Sequence, residues 1–268
     1  MDRCTIDGIE LDYEVTGAGE PVLLIHGGFV ADGFLPLRDS AALKAYELVR
    51  HHRRGFAGST VGGNAVSIVR QAQDCEALLA TLGIARAHVV GHSYGATIAL
   101  QLAAQAPALV HTLALAEPGL LGLPGTDALM SEMMPIFEMY GSGNAAEAIR
   151  MSFRSLGRAN AEEILERVAP GATSQAIKDA DTYFQIEMPA LLEWVFGAEE
   201  AKSIDQPVLH ISGADSLPIF HEGLELLRSW LPQTEQVVIA GASHLLQQEA
   251  PEPFAQALGE FLSRHPMR

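Results

Sequence analysis

The stretch HVVGHSYGATIAL, residues 88–100, joins an apolar run to an alanine-rich segment through a serine enclosed by two glycines. The apolar run predicts a buried strand, and the segment after the glycines predicts a helix. A sharp turn between them would expose the hydroxyl of Ser93 at the carboxyl end of a sheet, beside the positive end of a helix. The pattern favours Ser93 as a nucleophile over the alternative, a serine that caps a helix in a glycine-bounded turn.

A serine hydroxyl needs an adjacent base before it reacts as a nucleophile. Of the ten histidines, His244 is distinguished by its place in the stretch GASHLLQQEAPE, after the apolar run EQVVIAG and before the last predicted helix. A loop at this point would bring His244 to the edge of the sheet where Ser93 should also lie. We therefore predict that His244 is the general base.

An acyl-transfer site also needs N–H groups that bind an oxyanion and a carboxylate that orients the base. The turn HGGF, residues 26–29, ends an early apolar run, so the N–H of Gly28 could bind the oxyanion, with the N–H of Tyr94 as second donor. Two carboxylates follow apolar runs at the same predicted edge, Glu117 in LALAEPG and Asp215 in HISGADSLP. By position alone, either could hold the outer nitrogen of His244.

The order of predicted elements indicates the α/β fold class. Apolar runs typical of buried strands alternate with helical segments, such as the helix predicted over 65–82, as far as Pro118 and again from about residue 204. This alternation predicts a mostly parallel central sheet with helices on both faces. The sequence between is helical throughout. We predict one core, residues 1–118 and 204–268, interrupted by a helical cap insertion at 119–203.

Composition argues against several classes of function. The chain of 268 residues has a net charge of −16, which disfavours binding to nucleic acid or to an anionic membrane. Cys4 and Cys75 lack metal-ligand spacing, and the histidines form no HxH or HExxH pattern, so we expect no metal and no other cofactor. No window resembles a membrane span or a signal peptide, so we expect a cytoplasmic protein. The expected partner is a small-molecule substrate, bound by a monomer or homodimer.

Together these motifs resemble the α/β-hydrolase superfamily over essentially the whole chain. The elbow GHSYG, the turn HGG, the late His244 and the cap follow the family's order. The stretch HHRRGFAGS is similar to the family's RGxGxS loop. The resemblance implies a serine hydrolase with a Ser–His–acid triad and a helical cap.

The resemblance also bears on the choice of acid. Family members usually carry a GxxD motif after strand seven, but the matching position here is Ser216, and Asp215 lies one residue early. In one subset of the family the acid follows strand six, about 24 residues after the nucleophile, and Glu117 is 24 residues after Ser93. The resemblance therefore favours Glu117, with Asp215 as the alternative acid.

The activity that the resemblance implies follows from the nucleophile. Dehalogenases and epoxide hydrolases of this fold use an aspartate, so Ser93 indicates hydrolysis of a carboxylic ester or lactone, of a small and apolar substrate, through an acyl-enzyme. The side chains expected to contact that substrate are Phe29, Met134, Phe137, Trp194 and Phe196. Alternatives are C–C bond hydrolysis, perhydrolysis or cofactor-free oxygenation on the same fold, or a receptor that keeps the triad to bind a small ligand.

Overall fold

The strands form one mixed sheet in a computed structural model that describes residues 1–62 and 66–267. Within these residues there are eight strands: β1 Asp2–Ile6, β2 Ile9–Gly17, β3 Glu20–Ile25, β4 Tyr46–His51, β5 Ala87–His92, β6 Val110–Ala116, β7 Val208–Gly213 and β8 Thr234–Ile239. Their order in the sheet is β1-β2-β4-β3-β5-β6-β7-β8. Strand β2 is antiparallel to β1 and β4, and the other neighbours are parallel. The predicted mostly parallel sheet is confirmed.

The α-helices fall into two groups. Those that pack on the sheet or close the chain are α1 Ile68–Thr81, α2 Tyr94–Gln105, α9 Pro218–Trp230, α10 Leu246–Glu249 and α11 Pro251–Arg264. Those between β6 and β7 are α3 Thr126–Gly141, α4 Ala145–Leu156, α5 Ala161–Val168, α6 Ala172–Lys178, α7 Met188–Glu193 and α8 Ala198–Ala201, with a π-helix at Thr182–Glu187. Short 3-10 helices lie at Leu35–Leu37, Ala41–Leu43 and Pro107–Leu109. The helix predicted over 65–82 is α1, and residue 65 lies outside the described residues.

Two apolar cores flank the sheet, because successive strand residues face opposite sides. In β5, Val89 packs in the core that contains α1 and α2, and Val90 packs in the core that contains α11. Strand β6 repeats the pattern, with Leu113 in the first core and Ala114 in the second. The predicted placement of helices on both faces is confirmed.

The register of the parallel strands aligns three chain segments at one edge of the sheet. Gly91 of β5 pairs with Ile25 of β3 and with Leu115 of β6. Each strand ends within one residue of this row. The same edge therefore receives the residues that follow the three strands: the turn 26–29, Ser93 and Glu117.

The helical segment between β6 and β7 covers this edge. Its helices run from Thr126 to Ala201, inside the predicted cap 119–203, and they bury side chains such as Met133 and Phe153 in the same core as α1 and α2. Where the cap begins and ends as a domain stays a prediction. Of the helices in the described ranges, none combines the length and hydropathy needed to cross a membrane.

Candidate active site

Ser93 lies in the turn between β5 and α2, with backbone angles of φ 53° and ψ −120°. A positive φ is uncommon for a residue with a Cβ atom and marks strain that the surrounding structure must hold. The flanking glycines permit the turn. A Cβ on Gly91 would lie 2.4 Å from the carbonyl oxygen of Gly95, and a Cβ on Gly95 would lie 2.2 Å from that of Ile25. The strand-to-helix turn expected around Ser93 is therefore present, and its hydroxyl faces the cap.

The side chains of Ser93, His244 and Glu117 form one hydrogen-bonded chain. Ser93 Oγ lies 2.9 Å from His244 Nε2, and His244 Nδ1 lies 2.6 Å from Glu117 Oε2. Because a carboxylate can only accept, Nδ1 carries the proton and Nε2 accepts from the serine hydroxyl. The histidine and the glutamate are both buried. This is the hydrogen-bond pattern by which an imidazole can remove a proton from serine.

Glu117 is held in place by more than the histidine. Its own φ is 47°, and its second oxygen, Oε1, accepts the N–H of Gly213 at 2.8 Å. Burial raises the pKa of this carboxyl, but hydrogen bonds and the charge of His244, together with the Gly213 bond, outweigh burial, and the pKa is lowered overall. The group is therefore ionised at neutral pH and can stabilise a protonated His244.

Two residues that the sequence did not single out for this purpose hold His244. The ring of Phe220 in α9 stacks on the imidazole at 3.9 Å between centroids and 11° between planes. His92 Nε2 donates to the carbonyl oxygen of His244 at 2.7 Å. Burial, the largest effect, lowers the pKa of His92 to about 3, so its ring is neutral. The position of His92 at the elbow is a usable sequence signal, whereas the packing of α9 on the loop is not readable from pattern.

Asp215, the alternative acid, lies apart from this chain of hydrogen bonds. Its carboxylate pairs with Arg158 at 2.9 Å, and its side chain is 57% exposed. The backbone N–H of Asp215 bonds to the carbonyl oxygen of Ala242. The carboxylate that bonds His244 is thus that of Glu117, the acid that the family resemblance favoured.

Gly28 and Tyr94, the predicted oxyanion donors, follow β3 and Ser93 directly. A Cβ on the neighbouring Gly27 would lie 3.2 Å from Cβ of Ser93, so the turn 26–29 runs against the elbow. In the part of the chain that the structure describes, neither the N–H of Gly28 nor that of Tyr94 donates a hydrogen bond to a protein acceptor. Their role as oxyanion donors stays a proposal.

A cavity of about 80 Å³ opens beside Ser93 and His244, between the sheet edge and the cap. Apart from those two residues, its wall is almost entirely apolar. The described residues that form the rest of it are Pro118, Gly119, Leu120, Leu121, Leu123, Leu129, Met130, Met133, Leu156, Tyr183, Met188, Leu191, Ile219 and Phe220. No charged side chain is among them, so the cavity suits an uncharged, apolar group.

The five side chains predicted to contact substrate are not among the residues of this wall, and their contact with a substrate stays a prediction. Met134 points to solvent and is 49% exposed. Trp194 and Phe196 stack on each other, and the indole N–H of Trp194 donates to Gln101 of α2. Phe137 and Phe29 both pack against Phe184. For Met134 the reason is the orientation of α3, which turns Met133 inward and the adjacent Met134 outward.

A larger open depression, about 880 Å³, lies between the end of α1 and the 3-10 helix Pro107–Leu109. Its lining includes Gln73, Glu76 and Gln105 but no member of the Ser93 chain, so it is remote from the chemistry. Among the residues described, no group of three or more His, Cys, Asp or Glu side chains is arranged to hold a metal ion.

Comparison with known proteins places this geometry in a family. The sequence model of the alpha/beta hydrolase fold matches residues 20–251. The chain is 38% identical over 121 residues to the dihydrolipoyllysine-residue acetyltransferase component of the acetoin cleaving system of Cupriavidus necator. The aligned segment covers 42% of this chain and only 30% of that protein. It is 26% identical over 223 residues to the uncharacterized hydrolase YraK of Bacillus subtilis, across 80% of this chain and 79% of that one.

Solved structures agree on the fold. The crystal structure of the enol-lactonase from Burkholderia xenovorans LB400 aligns with a TM-score of 0.78 and 22% identity, over 98% of this chain and 100% of that chain.

Proposed function

Because the chain belongs to the alpha/beta hydrolase family, we propose that it hydrolyses a carboxylic ester or lactone, with Ser93 as the nucleophile. The observation that carries the proposal is the chain of hydrogen bonds from Ser93 Oγ through His244, 2.9 Å away, to Glu117, 2.6 Å further on. His244 is the general base in this proposal, and Glu117 is the acid that fixes its tautomer.

The proposed reaction has two halves. Ser93 Oγ attacks the substrate carbonyl carbon as His244 Nε2 takes the hydroxyl proton, and the carbonyl oxygen becomes an oxyanion. His244 then gives this proton to the leaving alkoxide, and an acyl-enzyme remains. Water, deprotonated by His244, attacks the acyl carbon; His244 then returns this proton to Ser93 Oγ as the acid leaves. With a lactone, the leaving alcohol remains part of the acyl group, and water therefore releases a single hydroxy acid.

The N–H groups of Gly28 and Tyr94 would stabilise the oxyanion. Two observations support this role. The turn 26–29 lies against Ser93, and in the described residues neither N–H donates a hydrogen bond to a backbone carbonyl oxygen. The N–H of Tyr94 also begins α2, where the aligned peptide dipoles favour negative charge. Donors that are already oriented need no reorganisation as the charge develops, which is why such a pair lowers the barrier.

The apolar wall of the cavity indicates the class of substrate. A carboxylate or ammonium on the acyl group would lose its hydration there without a partner among the wall's leucine, methionine and isoleucine side chains. We therefore propose an acyl part that is uncharged and apolar. The enol-lactonase that shares this fold is named for opening a lactone, which is chemically the same acyl transfer.

The test is hydrolysis of an activated aryl ester by Ser93→Ala. Loss of the nucleophile should lower kcat by about four orders of magnitude or more and abolish labelling by a serine-reactive phosphonate. Ser131→Ala, which changes an exposed cap serine, is the matched control and should hydrolyse and label normally. Turnover in Ser93→Ala equal to that of the unmodified protein would refute the proposal.

A further inference from the structure

Arg53 lies directly beneath the turn 26–29 and is 2% exposed. A buried guanidinium has five N–H donors in a fixed planar fork, and each needs an acceptor. The structure provides five. Nε donates to the carbonyl oxygen of His26 at 2.9 Å and Nη2 to that of Gly27 at 2.8 Å. Nη1 donates to Gln71 at 2.7 Å, and Nη1 and Nη2 both donate to the carboxylate of Glu187.

The bond to Gly27 reaches the peptide that carries the proposed oxyanion donor. The carbonyl of Gly27 and the N–H of Gly28 belong to one peptide unit, which is trans. In a trans peptide these two bonds point in opposite directions, so anchoring the oxygen fixes where the N–H points. A cation bonded to the oxygen also polarises the peptide and strengthens its N–H as a donor.

The neighbouring histidine completes the anchor. The backbone N–H of Arg53 donates to His26 Nε2 at 3.0 Å, so the other ring nitrogen, Nδ1, carries the proton. Nδ1 donates to the carbonyl oxygen of Gly27 at 2.7 Å. Both lone pairs of that oxygen are therefore engaged, one by Arg53 and one by His26.

Arg53 also contacts the residue that carries the second donor. Its guanidinium carbon lies 4.9 Å from the ring centroid of Tyr94, within reach of a cation–π interaction. Gln71, which accepts from Arg53, donates to the Tyr94 hydroxyl at 3.3 Å. The side chain of Arg53 thus contacts both the peptide that carries the Gly28 N–H and the ring of Tyr94, whose N–H is the second proposed donor.

The cap secures Arg53 from above through its π-helix. Glu187 is fully buried and supplies the negative charge that a buried guanidinium requires. From the same helix, the Thr182 hydroxyl donates to the carbonyl oxygen of Gly55 at 2.7 Å. The ring of Tyr183 covers Gly28, where an added Cβ would lie 2.6 Å from Cε2 of the tyrosine. The position of the cap and the orientation of the Gly28 N–H are therefore mechanically connected.

We infer that Arg53, held by Glu187 of the cap, is a positioning residue that orients and polarises the Gly27–Gly28 peptide for oxyanion binding. The inference rests on the proposed hydrolysis by Ser93. It assigns to the cap a part in stabilising the transition state, in addition to covering the substrate.

The chain offers a matched pair of variants, Arg53→Lys and Arg54→Lys. Arg54 is also buried and also pairs with a carboxylate, at 2.7 Å and 2.6 Å from Asp74, but it has no hydrogen bond to the turn 26–29. Lysine keeps the charge in both cases but has three donors on one nitrogen, so it cannot replace all five bonds that the planar guanidinium of Arg53 makes. Arg53→Lys should lower kcat about 100-fold, the loss typical of one impaired oxyanion donor, with KM nearly unchanged. Arg54→Lys should keep kcat within a few-fold of the unmodified protein.

A second readout separates oxyanion binding from general damage to the fold. In a thionoester the developing charge lies on sulfur, a weak hydrogen-bond acceptor, so a working oxyanion site favours the oxygen ester. The ratio of ester to thionoester kcat should therefore shrink at least tenfold in Arg53→Lys and stay constant in Arg54→Lys. Equal ratios in the two variants, or equal losses of kcat, would overturn the inference.

If circular dichroism shows that Arg53→Lys does not fold, Glu187→Gln tests the inference in its place. It leaves Arg53 in place but removes the charge that holds it, so a smaller loss of kcat with the same direction of change in the ratio is expected. An unchanged ratio would count against the inference. Failure of the proposed function is distinguishable, because then the unmodified protein itself would neither hydrolyse esters nor be labelled at Ser93.

Discussion

The carboxyl groups of Glu117 and Asp215 follow neighbouring strands at the same edge of the sheet, yet their surroundings are opposite. Glu117 is fully buried, accepts the N–H of Gly213 and bonds His244. Asp215 faces solvent and pairs with Arg158. A buried carboxylate bonded to an imidazole fixes the tautomer of that imidazole, whereas an exposed ion pair contributes little to the free energy of unfolding. At the scale of single residues, burial distinguishes the two candidates.

Glu117→Gln should reduce kcat by about 10⁴-fold, because an amide in this place can favour the wrong histidine tautomer. Asp215→Asn, the matched control, removes the same charge from the adjacent strand end. It should leave kcat within a few-fold of the unmodified protein and change the free energy of unfolding by less than about 1 kcal/mol. The measurements are ester turnover and urea unfolding. A large loss of kcat in Asp215→Asn with none in Glu117→Gln would reverse the assignment.

At the scale of elements, strands were easier to predict than the faces of cap helices. Strands buried on both faces are continuous apolar runs, so their ends, and with them Ser93, Glu117 and the turn 26–29, could be placed at one edge from sequence. His244 was predicted as the base by the same reasoning. The choice between Glu117 and Asp215 depended on family resemblance, because the strand ends alone place both acids at this edge.

The cavity wall was not predictable in the same way. The stretch LMSEMMPIFEMY in α3 is apolar on more than one side, so its pattern does not determine which methionine faces inward. That depends on how the helix docks on α4 and on the sheet edge. Met133 is 4% exposed and Met134 is 49% exposed. Arg53 and Glu187 were missed for a related reason, since they are 134 positions apart in sequence and meet only when the cap is in place.

The orientation of α3 leads to a prediction about acyl specificity. Met133→Phe should fill part of the cavity and lower kcat/KM for a hexanoate ester relative to an acetate ester by about tenfold or more, since a pocket that loses room for methylenes discriminates to that degree. Met134→Phe adds the same ring at the next position but on the exposed face, and it should leave the ratio unchanged. The ratio of kcat/KM values for p-nitrophenyl acetate and hexanoate measures this. A change of the ratio in Met134→Phe alone would place the pocket elsewhere.

At the scale of the whole molecule, several histidines are buried in their neutral form. Burial is the largest cause in each case, and it lowers the pKa of His51 and His92 to about 3 and that of His210 to about 4. His210 lies inside β7, and within the described residues neither of its ring nitrogens has a hydrogen-bond partner. An imidazolium at any of these three positions would have to leave the core.

These histidines should make the protein less stable as the pH falls from about 6.5 to about 4. In that window the unfolded chain takes up protons at these three residues, whose ordinary pKa is 6.5, while the folded chain does not. Because the unfolded state binds more protons, the free energy of unfolding rises with pH, by up to about 1.4 kcal/mol per pH unit for each histidine. Their contribution is therefore complete above pH 6.5 and decreases below it.

The net charge of −16 acts in the other direction, because self-repulsion weakens as the pH approaches the isoelectric point near 4.9. High salt screens this repulsion, so urea unfolding is measured between pH 7 and pH 5 in high salt. His210→Phe removes one of the three titrating groups and fills the same space with an apolar ring. Its stability should decline less steeply with falling pH than that of the unmodified protein. Identical slopes for the two proteins would show that His210 does not resist protonation in the folded state.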